Sequence, residues 1–231
     1  MIDKIKSIFI IPELRSRIVF TLSVLVIVRM GAHIPIPGVN GEVLAMAFDN
    51  LKSGLFGLFN TFVGGAFQKA SLFSLGIMPY ISSSIIIQLM GSVVPYFQRL
   101  QKEGEAGRKK ITQITRYGTV MLSTMQSYGV VAVFLPSLSS NGQQAVNNPG
   151  LMFTFTGIVS MVTGTLFLMW LGERITERGI GNGISLIIMV GIVSAFPNVI
   201  LNEITMVQSG ARGLLAEFIL VGIMFLIICF V

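Results

Sequence analysis

Long apolar runs separated by short polar or charged segments dominate this sequence. Runs of about the length needed to cross a bilayer, roughly 20 residues, lie at about 18–34, 71–97, 117–135, 151–171 and 184–201. A sixth run, 218–231, holds 14 residues and reaches the end of the sequence. The pattern predicts an all-α polytopic membrane protein with five complete transmembrane helices and the start of a sixth. We therefore expect the sequence to be a fragment of a longer protein.

The composition is that of a membrane protein, and it limits the kinds of catalytic and metal sites that the chain could form. Hydrophobic residues make up 53% of the chain and charged residues 11%, whereas about a quarter of a soluble domain is charged. A single cysteine, Cys229, excludes an internal disulfide, and the single histidine, His33, has no cluster of metal-ligating residues around it. Paired carboxylates and nucleotide-binding motifs are absent from the sequence. We therefore expect no enzyme activity, no cofactor and no metal.

The distribution of basic residues predicts the orientation. If the amino terminus lies inside, five crossings leave 1–17, 99–116 and 173–178 inside, and these segments hold 12 of the 16 lysines and arginines. This excess follows the positive-inside rule. The segment 1–17 is predicted to be an amphipathic surface helix broken before Pro12, and Arg29 is predicted to snorkel to the membrane interface.

The run 54–67 is apolar but too short to cross the bilayer. If it crossed, the basic segment 99–116 would lie outside, against the charge rule. It is therefore predicted to enter and leave on the outer side. Partial insertion is tolerated only where protein shields the backbone or water fills a cavity, so an outer-facing cavity is expected. The next span is predicted to bend at Pro79.

The predicted second to fifth spans contain no charged residue. Ion-coupled transporters usually keep ionisable groups at membrane depth, so the pattern favours a passive conduit that is powered from outside. Two other classes stay open: a small-solute transporter with broken helices, and a membrane insertase or scaffold without an aqueous pore.

Five sequence blocks resemble the SecY family of protein-translocation channels. They are AHIPIPG (32–38), LGIMPYISSSIIIQL (75–89), KEGEAGRKKITQ (102–113), TRYGT (115–119) and GERITERGIGNGIS (172–185). The resemblance implies the first half of an inverted-repeat, ten-helix channel that conducts unfolded polypeptides across and into the bacterial plasma (inner) membrane, with a cytoplasmic amino terminus. It further implies SecE and SecG subunits, the SecA motor ATPase, the ribosome with nascent chains, signal peptides and anionic phospholipids as partners.

The same resemblance implies three domains. These are a cytoplasmic leader (1–17), a five-helix half of the channel (18–201) and an external loop with a truncated sixth helix (202–231). Within the second, 98–116 and 172–183 would be cytoplasmic loops. The segment 54–70 would be the plug that closes the channel, with Leu55, Phe56, Leu58, Phe59 and Phe62 on it and Gly64 and Gly65 as its hinge. A re-entrant packing element that does not move is the alternative.

A pore ring is implied at Ile77 and Ile81 and at Ile184 and Ile188. Residues four apart share a helix face, and branched aliphatic side chains can close around a passing chain and dewet without one. Periodicity alone favours ordinary helix packing for all four.

The resemblance implies a lateral gate at Pro79, Ser82, Ser83, Ser84 and Gln88, which lie on the span that forms one side of the family's gate. Small and hydroxyl residues suit this role, since they let helices approach closely and part. Ordinary small-residue packing is the alternative for each of them. Cytoplasmic contacts with lipid or partners are implied for the basic residues Arg99, Lys102, Arg108, Lys109, Lys110, Arg174 and Arg178. The simpler alternative is that these residues set the topology and contact anionic lipid, without docking a motor ATPase or the ribosome.

Overall fold

The computed structural model describes residues 11–49, 54–140, 143–146, 148–208 and 222. Most of these residues are helical, and one short hairpin of two strands, each two residues long, lies between the helices. The helices are α1 (Pro12–Gly31), α2 (Gly41–Asp49), α3 (Leu55–Phe62), α4 (Met78–Val93), α5 (Pro95–Lys102), α6 (Glu105–Tyr128), a π-helical turn (Gly129–Phe134), α7 (Leu135–Ser137), α8 (Leu151–Arg178) and α9 (Gly183–Gln208). The antiparallel strands β1 (Ser139–Ser140) and β2 (Gln143–Gln144) pair between α7 and α8.

The first helix begins earlier than the apolar run that predicted it. Pro12 occupies its first turn, where the missing N–H of proline costs no hydrogen bond. Residues 12–17 therefore belong to the same helix as the first predicted span, and the cytoplasmic leader 1–17 stays a prediction. Residues 1–10 of that leader lie outside the described residues, as do most residues of the predicted external loop and sixth helix.

The second predicted span is shorter than expected and bends elsewhere. Residues 71–77 form turns, and α4 begins only at Met78. The turns are fixed by backbone bonds to the segment that follows α1, from Leu72 N–H to the Ile34 carbonyl (2.9 Å) and from Ile36 N–H to the Ala70 carbonyl (2.9 Å). Pro79 lies in the first turn of α4 and does not bend it. The bend of 98° falls between α4 and α5.

The predicted cytoplasmic segments 98–116 and 172–183 are largely helical. The first consists of α5 and the beginning of α6, and α8 continues to Arg178 in the second. Lysine, arginine and glutamate are good helix formers, so a helix can extend beyond the membrane without interruption. Loss of hydrophobicity therefore marks the expected membrane boundary and not the helix end.

Among the described residues, Glu105–Ser137 and Leu151–Arg178 are long and apolar enough to cross a membrane. The bent pair of α4 and α5 adds a third candidate if it is one span, and Gly183–Pro197 is a shorter apolar helix. The predicted mostly helical, membrane-embedded fold agrees with this finding. The count of five crossings and a sixth start stays a prediction.

The chain divides into two compact units, Met1–Ile192 and Val193–Val231. The first unit contains two buried clusters. One surrounds Phe48 and Phe67, and the other lies where α1, α8 and the beginnings of α4 and α9 meet, around Val28, Phe73 and Leu168. The described part of the second unit is the end of α9 and residue 222.

Helices α4, α6 and α8 pack through small residues. Buried hydroxyls line one face of α6 at Thr115, Thr119, Ser123 and Ser127, and each donates to a carbonyl of its own helix. Satisfied in this way, the hydroxyls let neighbouring helices approach closely. This packing fixes α4, whose first turn lines the site described next.

Candidate functional site

An apolar cavity of about 140 Å³ lies within the first unit. Its walls come from α1, α4, α8 and α9, from the end of α3 and from the turns between α3 and α4. Arg29 is the one charged residue among the described residues that line it. The other lining residues are Val28, Ala32, Phe62, Val63, Phe73, Gly76, Ile77, Met78, Ile81, Leu168, Ile187, Ile188 and Gly191.

Three of the four predicted ring residues line this cavity: Ile77, Ile81 and Ile188. Ile77 is 4% exposed and stands directly before α4, after a turn at Gly76 with φ of 56°. The fourth residue, Ile184, lies one turn before Ile188 and packs against the same buried cluster. The fold thus brings together two pairs of isoleucines that lie about a hundred residues apart in sequence.

The glycine-rich motif before α9 orients these isoleucines. The Asn182 side chain accepts hydrogen bonds from the backbone N–H groups of Ile184 (3.0 Å) and Ser185 (3.3 Å), which caps the helix. Gly183 lies so close to the carbonyl of Gly172 that a side chain would not fit. The motif is therefore a tight turn that joins α8 to α9, as the absence of nucleotide-binding context suggested.

The predicted plug contains the eight-residue helix α3. Phe56 stacks on Phe134, with 4.8 Å between ring centroids, and Phe59 meets the edge of Phe67 at 5.0 Å. Leu58 and Phe62 are 62% and 47% exposed. The side chain of Leu55 lies outside the described residues. Aromatic contacts thus hold one face of α3, and its carboxyl end reaches the cavity.

The predicted hinge glycines follow α3 directly. Gly64 and Gly65 have φ of 65° and 81°, a region that residues with a Cβ rarely adopt. The Gly64 carbonyl accepts a hydrogen bond from Nη1 of Arg29 at 3.2 Å. Arg29 therefore contacts the hinge, which corrects the prediction that it snorkels to the interface.

The predicted gate residues on α4 have different surroundings. Pro79 and Ser83 are buried, and Ser83 donates to the Thr115 carbonyl of α6 at 2.9 Å. Ser82 and Ser84 are half-buried, and the exposed Gln88 donates to Ser84 Oγ at 3.2 Å. Ser83 therefore joins α4 to α6, while the other polar groups lie nearer the surface of α4.

The predicted basic residues are mostly exposed, and two of them have ion-pair partners. Lys110 pairs with Glu103 at 3.4 Å, and Arg174 pairs with Glu177 at 3.0 Å. Arg174 also lies over the ring of Trp170, 5.5 Å from its centroid. The remaining residues, Arg99, Lys102, Arg108, Lys109 and Arg178, are exposed.

Sequence reasoning missed two lining residues that matter to the site. Ile187 is 7% exposed and lines the cavity beside Ile188, but one more isoleucine in an isoleucine-rich helix gave no signal. Arg29 did give a signal, because a charge near the end of an apolar run is unusual. Its partner, a backbone carbonyl 35 residues away, could not be read from that position.

Comparison with known proteins decides the family. A sequence model of the SecY family matches residues 71–231. The chain belongs to the SecY family. Protein translocase subunit SecY of Buchnera aphidicola subsp. Acyrthosiphon kondoi is 48% identical to it, over 95% of this chain and 61% of the relative. The protein of the same name in Escherichia coli K12 is also 48% identical, over 95% of this chain and 49% of the relative. The chain thus spans about half the length of these SecY relatives.

A solved structure shares the fold. The structure titled "Sec61 in the Canine ribosome-channel complex from the endoplasmic reticulum" matches with a TM-score of 0.57 at 18% identity, over 78% of this chain and 37% of that chain. At this identity the likeness concerns the fold alone. The mostly helical architecture of this SecY-family chain is therefore that of the solved channel structure.

Proposed function

We propose that this chain forms one side of the pore of a protein translocase, which conducts unfolded polypeptides across the membrane and releases apolar segments into it. One observation carries the proposal: residues of two distant helices that the family resemblance assigned to a ring, Ile77, Ile81 and Ile188, line one apolar cavity. The names of its relatives, protein translocase subunits, point in the same direction.

Chemistry at the cavity supports a conduit over an enzyme or a solute pump. Its lining is aliphatic and aromatic apart from Arg29. A polypeptide of any sequence can pass such a surface, since it offers no fixed polar partners that would hold one side chain more tightly than another. In this proposal the chain performs no covalent chemistry and requires no cofactor, and energy comes from a partner.

The segment 54–70 acts as the plug in this proposal. Helix α3 ends at Phe62, and Phe62 and Val63 line the cavity together with the ring residues. Displacing this segment would therefore widen the cavity directly. The hinge at Gly64 and Gly65 supplies the backbone freedom for such a movement.

Lateral release would use α4. Ser82, Ser84 and Gln88 lie half-buried or exposed on this helix, where they could part from a neighbouring helix at modest cost. Ser83 would stay with α6 through its bond to Thr115. The gate proposed here therefore moves α4 and α6 together.

The wider setting is also proposed. Five crossings and the start of a sixth, with the amino terminus inside, would put the exposed basic residues of α5 and α6 in the cytoplasm of a bacterial cell, at the inner membrane. There they would contact anionic phospholipids, the SecA motor or a ribosome, and SecE, SecG and signal peptides would complete the set of partners. The ribosome-channel complex named by the solved structure supports the ribosome among these.

Loss of the ring should make the channel leak. We expect Ile81→Gly and Ile188→Gly, each in the full-length protein, to raise ion flux through the resting channel, because a gap in an apolar constriction lets water enter. Ile86→Gly is the matched control, since Ile86 lies on α4 away from the cavity lining and is 47% exposed. Flux would be measured in liposomes. Unchanged flux in both ring variants would argue against the pore.

A further inference from the structure

Arg29 places a charge beside an apolar cavity, and its contact there is specific. The residue lies in the last turn of α1 and is half-buried. Its Nη1 donates to the Gly64 carbonyl at 3.2 Å. Burying part of a guanidinium is costly unless hydrogen-bond acceptors compensate it. The Gly64 carbonyl supplies such an acceptor, and the same bond holds the hinge.

The hinge is confined on its other side by α9. A Cβ atom placed on Gly64 would lie 2.6 Å from Arg29 Nη1 and 3.0 Å from the Cα of Gly191. A Cβ atom on Gly191 would lie 2.7 Å from the Phe62 carbonyl. At Gly64 and Gly191 the chain after α3 therefore lies against α9, backbone to backbone, with no room for a side chain on either glycine.

The loop after Gly64 is joined to the end of α3 by hydrogen bonds that span the two glycines. The Gly65 N–H donates to the Asn60 carbonyl at 2.8 Å, and the Gln68 N–H donates to Asn60 Oδ1 at 3.0 Å. These bonds lie within the segment 54–70 and do not attach it to α1. The bond from Arg29 does, because it joins the hinge to α1.

We propose that Arg29 is the positioning residue that latches the plug in the resting channel through the Gly64 carbonyl. This inference rests on the proposed function, since it takes 54–70 as the plug. A single charged donor suits a latch. Its bond to one carbonyl is stronger than a neutral one, yet water that enters with a polypeptide can replace that carbonyl at little cost.

The test uses the full-length protein with its partner subunits in liposomes, without a polypeptide substrate. Val63, which lines the cavity, is replaced by cysteine in a Cys229→Ser background. The rate of its modification by a small thiol reagent added on the outer side is then measured, together with resting iodide flux. Arg29→Met removes the donor and Arg29→Lys retains a charged one. Arg17→Met is the control, since it removes a charge from α1 at an exposed pair with Glu13.

Arg29→Met should raise the modification rate and the flux about tenfold, the change expected for one hydrogen bond to a charged group. Arg29→Lys should fall between Arg29→Met and the parent, and Arg17→Met should equal the parent. Uptake of a polypeptide by Arg29→Met would show that the variant is folded. If it does not accumulate, Arg29→Gln, which shortens the donor and removes the charge, takes its place under the same criterion.

Two negative results differ in what they overturn. If Arg29→Met matches Arg17→Met while Ile81→Gly leaks, the latch is wrong and the pore stands. If Ile81→Gly and Arg29→Met both remain tight and the parent protein takes up no polypeptide, the proposed function is wrong and the latch falls with it.

Discussion

Arg116 on α6 and Glu173 on α8 form a two-pronged ion pair that joins two helices. Nη2 lies 2.7 Å from Oε2 and Nε lies 3.1 Å from Oε1, and the Glu173 side chain is only 15% exposed. Such planar pairs are stronger and more specific than single contacts. The pair therefore fixes the end of α8 that leads into the cap of α9.

A double-mutant cycle should detect this pair. Arg116→Met, Glu173→Gln and the double variant of the full-length protein are expected to give a coupling free energy of about 1 kcal/mol in detergent unfolding. The pair Lys110 and Glu103, whose side chains are 61% and 47% exposed, is the matched control and should show coupling near zero. Equal coupling free energies in the two pairs would mean that the burial of Glu173 does not strengthen its interaction with Arg116.

The candidate site could be predicted only in part at this scale. The four isoleucines of the predicted ring followed from a family motif, whereas their periodicity alone favoured ordinary helix packing. Arg29 was predicted to reach the interface, because it is a long charged side chain near the end of an apolar run. The sequence does not show which group its guanidinium contacts. The partner depends on where the hinge folds back, which is a tertiary contact.

Among the elements, α8 approaches the turn before α4 unusually closely. A Cβ atom at Gly164 would clash with the carbonyl of Leu72. The close approach places α8 against the turns 71–77, which carry Ile77 to the cavity.

Gly164→Ala should therefore destabilise the protein. Because the opposing atom belongs to the backbone, it cannot rotate away, and overpacking of this kind costs about 1–3 kcal/mol. Gly129→Ala is the control, since nothing lies within 4 Å of a Cβ atom there, and alanine has the higher helix propensity. Thermal unfolding in detergent would compare them. A melting temperature for Gly164→Ala at or above that of Gly129→Ala would contradict the packing described.

Helix identity was easier to predict than helix bounds. Apolar runs indicated the regions of α1, α4, α6, α8 and α9, yet α4 begins seven residues after the predicted start of its span. Hydropathy cannot separate buried turns from buried helix when both are apolar, as at 71–77. The bend was predicted at the wrong proline. Pro79 lies in the first turn of α4, where proline is tolerated, whereas Pro95 follows the extended residue Val94 and starts a new helix.

At the scale of the whole molecule, the first unit contains one small apolar cavity at the candidate site. Its cavity of about 140 Å³ is smaller than a ligand pocket of about 300–1,000 Å³, so a polypeptide could not pass without movement. Phe62 and Val63, at the end of α3, line the same cavity as the ring residues. This size is compatible with the proposed function, in which the segment 54–70 is the plug of a resting channel.

Crosslinking at Ile188 tests the central claim most directly. A cysteine at position 188 of the full-length protein, in a Cys229→Ser background, is exposed to a translocating polypeptide stalled by a folded domain. Met189, the next residue and 49% exposed, carries the cysteine in the control, because it does not line the cavity. A channel with Ile188 at its ring predicts a crosslink from position 188 and little from 189. Crosslinking from 189 alone, or equally from both positions, would contradict a polypeptide path through this cavity.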